Sequence, residues 1–541
     1  MIEIKYGQLR KITFVILALP FLAFSIGWLR WYWSIACSLA LCTCIYFGVF
    51  RKKDNEYNNE KSIEISWATL FIIMGIVLIW TWQSGIGGFW TQSKDFRYRN
   101  AIFRDIVLRD WPVVYPATGH ALVYYIGYWL VPALFGKAVL LLGAGNDTAF
   151  EVADSAMFVW TFLILMLLFL LIIYTLKLNG RKQQLFAILL FVFFSGADVI
   201  GNIGYSWDYI HYHFEWWATD YQFSSFTTCL FWVFNQALPA WLCFVCLINE
   251  KNIRNYVFIG MMCLFCAPLP FVGLFVYCVY YAIKKLIEYI KDKKVSKFFK
   301  NMFSMSNILC IALIFPVIGT YLLSNAVIHG SNSLRMNDSA MVMEEIQEIP
   351  ADLQFSENPV INYISFICIE FALYMLFMAW KYKKSPVYYV TFGSLLIIPL
   401  LRIGGAQDFA MRASIPALIM VFLLVTKFLI EERNVLKTIS PSKENEKSKK
   451  NSEVKDIAFL KKLTYILLVV FLILGTLTPA MEFLRGFHEV CEYGIHNEKY
   501  DDIYTLGCDG PYDEPGKKLT YGNFVCVDPD EDLFFKVFAG K

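Results

Sequence analysis

Charged side chains are scarce in this chain of 541 residues: Asp, Glu, Lys and Arg make up 17% of it, whereas a soluble domain carries about a quarter. The formal net charge is only +3, which gives no electrostatic reason to expect a nucleic-acid partner. The sequence has no Gly-rich phosphate-binding segment of the Walker type. It also shows no internal repeat, which weakly disfavours transporters built from repeated halves.

Apolar residues dominate instead: 57% of the chain is hydrophobic and 18% is aromatic, and the mean hydropathy is +0.50. Runs of about 17–25 apolar residues recur, and each is long enough to cross the roughly 30 Å hydrocarbon layer as a helix. The runs are continuous and do not alternate, which argues against a membrane barrel. The sequence therefore predicts an all-α polytopic membrane protein with about 13 transmembrane helices.

The predicted spans lie between short basic clusters, as expected if the clusters are loops that set orientation. The spans are 12–28, 33–50, 66–82, 153–176, 183–202, 226–249, 255–266, 269–283, 305–326, 361–380, 386–402, 410–430 and 463–481. The short pair 255–266 and 269–283, joined by 266-CAPLP-270, is interpreted as a hairpin of half-helices. The positive-inside rule places the N-terminus in the cytoplasm and the C-terminal tail outside. The basic cytoplasmic clusters and the absence of a eukaryotic retention signal favour a bacterial plasma membrane. The first apolar run lacks a small-residue cleavage site, so no cleaved signal peptide is expected.

Four parts of the chain follow from these assignments. They are 1–65, with two extra spans and a cytoplasmic loop; 66–430, the core of the protein; 431–462, a polar cytoplasmic linker; and 463–541, the last span and a small external tail. Within the core, 83–152 is predicted to be one long external segment. Its apolar part, 119–143, contains Pro132 and Lys137, and a crossing there would invert the charge rule, so it is expected to lie on the outer leaflet.

A charged stretch, 92-QSKDFRYRNAIFRDIVLRDWPVVYP-116, lies in that external segment with five Lys or Arg and three Asp residues. One interpretation is an amphipathic surface helix whose arginines meet lipid phosphates. The other is a site for an anionic, membrane-borne substrate, because Arg binds phosphate through two parallel hydrogen bonds and a nearby carboxylate can act as a general base. The candidate phosphate ligands in the stretch are Arg97, Arg99 and Arg104.

The second external loop, 205-YSWDYIHYHFEWWATDYQF-223, mixes ionisable and aromatic side chains. Aromatic faces beside carboxylates are suited to holding a sugar, although the same residues could instead cap an interfacial helix. The candidate sugar ligands are Trp207, His211, His213, Glu215 and Asp220, together with Tyr98 of the first loop. A divalent ion such as Mg²⁺ or Mn²⁺, shared by the histidines and Asp208, is a further candidate, although histidines two apart would share a face only on a strand.

A third polar segment, 402-RIGGAQDFAMRASIPAL-418, opens a late span. Asp408 and Arg412 are four residues apart and can pair on one helix face. The alternative is that Arg412, at a helix start, faces a lipid phosphate. In the tail, Cys508 and Cys526 are the simplest pair for a disulfide if the tail is outside the cell.

The order of these features resembles the GT-C superfamily of polytopic glycosyltransferases. Asp95, Tyr98, Arg104 and Asp105 are similar to its loose pattern of Asp, spacer, Tyr, spacer and Ala-Arg-Asp, and 121-ALVYYIGYWLVPALFGK-137 is similar to its juxtamembrane segment. The resemblance covers roughly 66–430. It departs from the superfamily in the two extra spans, in the absence of a paired acidic dipeptide after Asp95 and in the small tail.

The resemblance implies transfer of a sugar from a polyprenyl-phosphate-linked donor to a glycan or lipid acceptor outside the membrane. It implies that Asp95 is the catalytic base, that Asp208 assists it, and that Arg412 faces the donor phosphate, with membrane lipids around the site. All three patches would then have to meet at one pocket.

The sequence is also compatible with two other classes of function. A transporter or flippase for a lipid-linked saccharide would place ionisable residues inside spans, where Glu370 and Lys427 are the clearest candidates. A non-catalytic protein of envelope assembly would tolerate alanine at Asp95, Asp208 and Arg412.

Overall fold

The computed structural model describes residues 1–51, 62–93, 95–116, 118–203, 213–218, 220–326, 358–401, 407–433, 449–497 and 524–540, with the side chains of 449–456 left out. These residues form helices almost throughout. In chain order the first helices are α1 (Tyr6–Trp28), α2 (Trp31–Ile45, extended by a π turn to Phe50), α3 (Trp67–Gln83), α4 (Phe96–Leu108), α5 (Gly127–Leu141), α6 (Asn146–Leu176), α7 (Arg181–Val192), α8 (Asp198–Gly201) and α9 (Phe226–Asn249).

The remaining helices are α10 (Tyr256–Cys266), α11 (Pro268–Lys291), α12 (Val295–Met302), α13 (Met305–Leu309), α14 (Phe315–Leu323), α15 (Pro359–Ile367), α16 (Leu373–Tyr382), α17 (Pro386–Ile397), α18 (Asp408–Ala413), α19 (Ile415–Glu432), α20 (Lys449–Gly475), α21 (Leu477–Tyr493) and α22 (Leu533–Val537). Short strands are β1 (Ile2–Ile4), β2 (Ile63–Ile65), β3 (Ala121–Leu122) and β4 (Val525–Cys526). Two compact units share the chain. The first comprises Met1–Lys177, Leu230–Glu348 and Gly486–Lys541, and the second comprises Leu178–Cys229 and Ile349–Arg485.

Eight helices of the described chain are long and apolar enough to cross a membrane. They are Tyr6–Trp28, Trp31–Phe50, Asn146–Leu176, Phe226–Asn249, Pro268–Lys291, Val295–Leu323, Pro359–Tyr382 and Ile457–Tyr493. Shorter apolar helices are Trp67–Gln83, Gly127–Leu141, Ile253–Cys266 and Pro386–Leu400. The chain is therefore an all-α, multi-pass membrane protein, while the expected number of about 13 spans stays a prediction.

Some predicted spans differ from the helices that form. The span predicted at 183–202 ends as a helix at Val192, because the chain turns there and resumes only as the short α8. The second half of the predicted hairpin, 269–283, is part of the 24-residue α11. Its Lys and Glu residues are good helix formers, so the charge that ends the apolar run does not end the helix.

Segments predicted to share the inner side contact one another in the first unit. β1 pairs antiparallel with β2, with Ile2 opposite Ile65. At the same end, Arg10 of α1 binds the Glu250 carboxylate through Nε at 2.8 Å and donates from Nη2 to the Gly48 carbonyl. These contacts support the predicted grouping of the loops, and which group faces the cytoplasm stays a prediction.

Segments predicted to share the outer side also meet in the first unit. β3 pairs antiparallel with β4 of the tail, and the Gly540 N–H donates to the Trp28 carbonyl at the end of α1. Ser324 Oγ, just after α14, donates to Asp532 Oδ1 at 2.6 Å. The C-terminal segment 524–540 is thus bound to three loops that lie far apart in the sequence.

Candidate functional site

Glycine turns and amide hydrogen bonds fix the loop that enters α4. Gly85, Gly87 and Gly88 all have positive φ angles, a backbone region that is open mainly to glycine. The Gln92 side chain donates from Nε2 to the Gly85 carbonyl at 2.9 Å and accepts from Asn100 Nδ2 at 2.8 Å. Because Asn100 lies on α4, the loop and the helix are held together, and the start of α4 is placed with little freedom.

Asp95 stands at that start, directly before α4. Its Oδ2 lies 2.9 Å from Arg99 Nη2, one helical turn along, and 46% of the Asp95 side chain is exposed against 10% of that of Arg99. The Arg99 guanidinium also lies over the Phe234 ring, 5.9 Å from its centroid. A buried arginine is therefore paired with a carboxylate that stays accessible.

The other candidate ligands on α4 flank this pair. Arg97 and Arg104 are partly exposed, and because they are seven residues apart they share one face of the helix. Tyr98 stacks on Phe524 of the tail, with ring centroids 5.7 Å apart and planes 28° from parallel. Phe524 thus covers one face of the Tyr98 ring, which is one of the predicted sugar ligands.

Asp105, by contrast, has a structural role. Its side chain is 3% exposed and pairs with Arg109, and Tyr115 donates its phenol proton to Oδ2 at 2.7 Å. Lys137 of α5 donates to the Arg109 carbonyl at 2.6 Å. The lysine that argued against a membrane crossing at 119–143 is therefore used to attach α5 to the end of α4.

Part of the second predicted patch lies outside the described residues: Trp207, Asp208 and His211. Asp220 is exposed. Glu215 is 1% exposed, and its carboxylate accepts hydrogen bonds from Gln222 Nε2 at 3.0 Å and from the Ser225 N–H at 2.8 Å. Burial, and then the negative charge of Asp198, raise the pKa of Glu215 to about 8.

His213 is also buried, at 8% exposure, and its Nδ1 lies 2.9 Å from Glu482 Oε1. The same Glu482 oxygen accepts from Arg485 Nη1 at 2.8 Å. His213 and Glu215 are thus engaged by neighbouring side chains in the second unit, and their predicted contact with a sugar stays a prediction.

Two buried acids in this unit did not enter the predicted site. Asp198 is fully buried and Glu370 is 4% exposed, and the two acids interact electrostatically. The signal in the sequence was a single acid inside each of two apolar runs. The sequence marks Glu370 only as a candidate for a transport function, and Asp198 lies within the predicted span 183–202.

The third predicted patch contains the expected ion pair. Arg412 Nη1 lies 2.9 Å from Asp408 Oδ2 across one turn of α18, with side-chain exposures of 11% and 53%. This arrangement repeats that of Arg99 and Asp95: a buried arginine is paired with an accessible carboxylate. Arg412 belongs to the second unit, so its place in a shared pocket with Asp95 stays a prediction.

Among the described residues, no group of three or more His, Cys, Asp or Glu side chains is arranged to hold a metal ion. Two of the predicted ligands, Asp208 and His211, lie outside those residues, so a divalent ion there stays a prediction. Cys526 is buried in β4, while Cys508 also lies outside the described residues. The chain matches no protein-family model, no curated protein and no solved structure.

Proposed function

We propose that this protein is a membrane glycosyltransferase of the GT-C type. It transfers a sugar from a polyprenyl-phosphate-linked donor to an acceptor hydroxyl at the extracytoplasmic face of the membrane. The observation that carries the proposal is the Asp95–Arg99 pair, in which a buried guanidinium fixes a half-exposed carboxylate at the start of α4. The carboxylate follows an apolar helix, α3, through a loop that is fixed by hydrogen bonds.

The lengths of the next helices support a site at the membrane surface. α4 has 13 residues and α5 has 15, so at 1.5 Å per residue they are about 20 and 22 Å long. Both are shorter than the roughly 20 residues that a span needs. A donor anchored in the outer leaflet would present its phosphate at this depth.

In the proposed reaction Asp95 accepts the proton of the acceptor hydroxyl while the oxygen attacks the anomeric carbon. The bond between the anomeric carbon and the phosphate oxygen breaks, and its electron pair leaves with the polyprenyl phosphate. Arg97 and Arg104 lie on one face of α4 and are the candidates to neutralise that phosphate. Arg99 is the positioning residue, because it orients Asp95 through their ion pair.

The test is an Asp95→Asn variant in membranes supplied with radiolabelled lipid-linked sugars extracted from the producing cells. A general base contributes about 10²–10⁴-fold to the rate, so transfer to acceptor should fall at least about 100-fold. Glu288→Gln is the matched control, because Glu288 is 48% exposed and pairs with Lys285 at 2.8 Å. Full transfer by Asp95→Asn would rule out Asp95 as the base.

A transporter or flippase of lipid-linked saccharide is the second candidate, and one observation favours it. Glu370 lies in the middle of the apolar helix Pro359–Tyr382 and is 4% exposed, and buried acids inside spans often mark transport pathways. Purified protein in vesicles separates the two functions: a transferase forms a new glycosidic bond, whereas a flippase only moves the labelled lipid between leaflets.

A further inference from the structure

A buried pair of carboxyl groups in the second unit has no part in the proposed transfer reaction. Asp198 lies at the start of α8 and Glu370 between α15 and α16, and both are more than nine-tenths buried. Ser195, which donates to Asp198, lines the same small cavity as Glu370, and the two acids interact electrostatically. Two carboxylates that share a buried site cannot both be ionised at small cost, so a positive charge must lie with them.

Hydrogen-bond donors surround the Asp198 carboxyl group. Its Oδ2 accepts from Ser195 Oγ at 3.0 Å and from Thr478 Oγ1 at 2.7 Å. Its Oδ1 accepts from the Trp217 indole Nε1 at 3.2 Å. Three donors directed at one carboxyl group stabilise its charged form.

Glu370 has the opposite surroundings. Its Oε1 is buried and has no hydrogen-bond partner among the described residues. The side chain also lines a cavity of about 10 Å³, together with Ser195 and Ser224, which is room for a single water molecule. An ionised Glu370 would leave a charged oxygen unsatisfied there, whereas a protonated one can donate to Asp198.

The backbone places the two acids together. A π turn at Cys368–Ala372 interrupts the regular helix around Glu370, and the Ile369 carbonyl accepts from the Ala197 N–H at 3.1 Å. One turn later, Tyr374 donates its phenol proton to the Ser195 carbonyl at 2.8 Å. π turns are frequent at functional sites, and this one fixes segment 195–198 against the glutamate.

Other ionisable groups surround the pair. Glu215 lies near enough to Asp198 and Glu370 to interact with both electrostatically when it is ionised, and Tyr374 lies on the helix of Glu370 itself. On α21, Thr478 contacts Asp198 directly, while Glu482 of the same helix is already matched by Arg485 and contacts His213. Arg412, on α18, interacts electrostatically with Cys229, and Cys229 interacts in the same way with Glu215.

We propose that Asp198 and Glu370 form a buried proton-binding site, in which Glu370 carries one exchangeable proton and donates it in a hydrogen bond to the Asp198 carboxylate. When the proton leaves, it passes to a water molecule and Glu370 becomes a carboxylate. A metal ion is the less suitable occupant, because no described group of three His, Cys, Asp or Glu side chains has the arrangement to hold one. The site does not depend on sugar transfer by Asp95.

Infrared spectroscopy of the purified full-length protein tests the proposal, since a protonated carboxyl group has a carbonyl stretch that shifts in D₂O. At pH 7 the wild type should show this exchange-sensitive band. Glu370→Gln, which mimics the protonated side chain, should lose the intensity of one carboxyl group, and Glu288→Gln should lose none. Glu215→Gln is measured alongside, so that any band from Glu215 is assigned separately.

If Glu370→Gln does not accumulate, Asp198→Asn serves instead, because exchanging a carboxylate acceptor for an amide should shift the band of Glu370. The proposal is overturned if the wild type lacks the band or if the band is unchanged in both variants. It is also overturned if sodium, compared with potassium, raises the apparent melting temperature of the wild type but not of Glu370→Gln, because a metal cation would then occupy the site. These infrared and melting-temperature measurements do not depend on sugar transfer, so their outcome is independent of whether Asp95→Asn loses activity.

Discussion

The ring of Tyr98, on the helix that carries the proposed catalytic base, stacks on Phe524 of the C-terminal segment at a centroid distance of 5.7 Å. Phe524 also meets Tyr124 edge-on, and its backbone carbonyl accepts from the Val123 N–H. The tail thus attaches to the charged loop through two aromatic contacts and the β3–β4 pair.

Phe524→Ala should release this attachment. Truncating a buried Phe costs about 3–5 kcal/mol, and the cost should fall mainly on the docking of segment 524–540. Limited proteolysis should therefore cut the tail several-fold faster than in the wild type. Leu533→Ala is the control in the same segment, because Leu533 is 60% exposed, and equal cleavage rates in both variants would contradict the prediction.

The buried ion pair of Arg10 and Glu250 predicts a large effect of removing one partner. Their side chains are 3% and 0% exposed, and an unmatched buried charge costs about 3–5 kcal/mol. Glu250→Gln should lower the apparent melting temperature in detergent strongly. Replacing both residues with leucine should recover part of that loss, because no charge is then left unmatched.

The exposed pair of Lys285 and Glu288 gives the comparison for this measurement. At side-chain exposures of 27% and 48%, such a pair is worth about 0–1 kcal/mol. Glu288→Gln should therefore leave the melting temperature nearly unchanged. A shift as large as that of Glu250→Gln would show that burial does not set the difference.

Glu215 predicts a pH dependence of stability. Burial and Asp198 raise its pKa from an ordinary value of 4.5 to about 8, so the folded chain holds a proton that the unfolded chain has released. The stability from this group is complete below about pH 4.5 and is lost as the pH rises through about 8. The apparent melting temperature should fall over that range, and Glu215→Gln should make the fall smaller. If the melting temperature of Glu215→Gln falls with pH as much as that of the wild type, Glu215 is not the group responsible.

Gly196 predicts a steric effect on the proton-binding site. A β-carbon at this position would overlap Glu370 Oε2, and overpacking of this kind costs about 1–3 kcal/mol. Gly196→Ala should lower the melting temperature and alter the infrared band of Glu370. Gly393→Ala is the matched control, since a β-carbon there meets nothing within 4 Å and alanine favours a helix by about 1 kcal/mol.

Hydropathy predicted much of the helical framework. α9 begins and ends at the predicted residues, because its apolar run is followed directly by Glu250 and Lys251. The same method failed at 193-FFSGA-197, which is as apolar as a span but leaves the helix after Val192. There the backbone follows tertiary contacts, such as the bond from Ala197 to Ile369, and a single sequence carries no record of them.

The candidate sites show the same limit. The Asp408–Arg412 pair followed from a spacing of four residues, and the structure contains it. Asp198, Glu215 and Glu370 come from three separate segments, and no spacing relates them. Their grouping depends on a π turn and on the small size of Gly196, neither of which hydropathy registers.

The bond between Arg10 and Glu250 also constrains how the protein is made. The partners are 240 positions apart, so at about 5–20 residues per second the ribosome needs roughly 12–48 s to supply the second after the first. During that time the Glu250 carboxylate is not yet available to Arg10. This ion pair of the first unit can therefore form only after the residue that follows α9 has been synthesised.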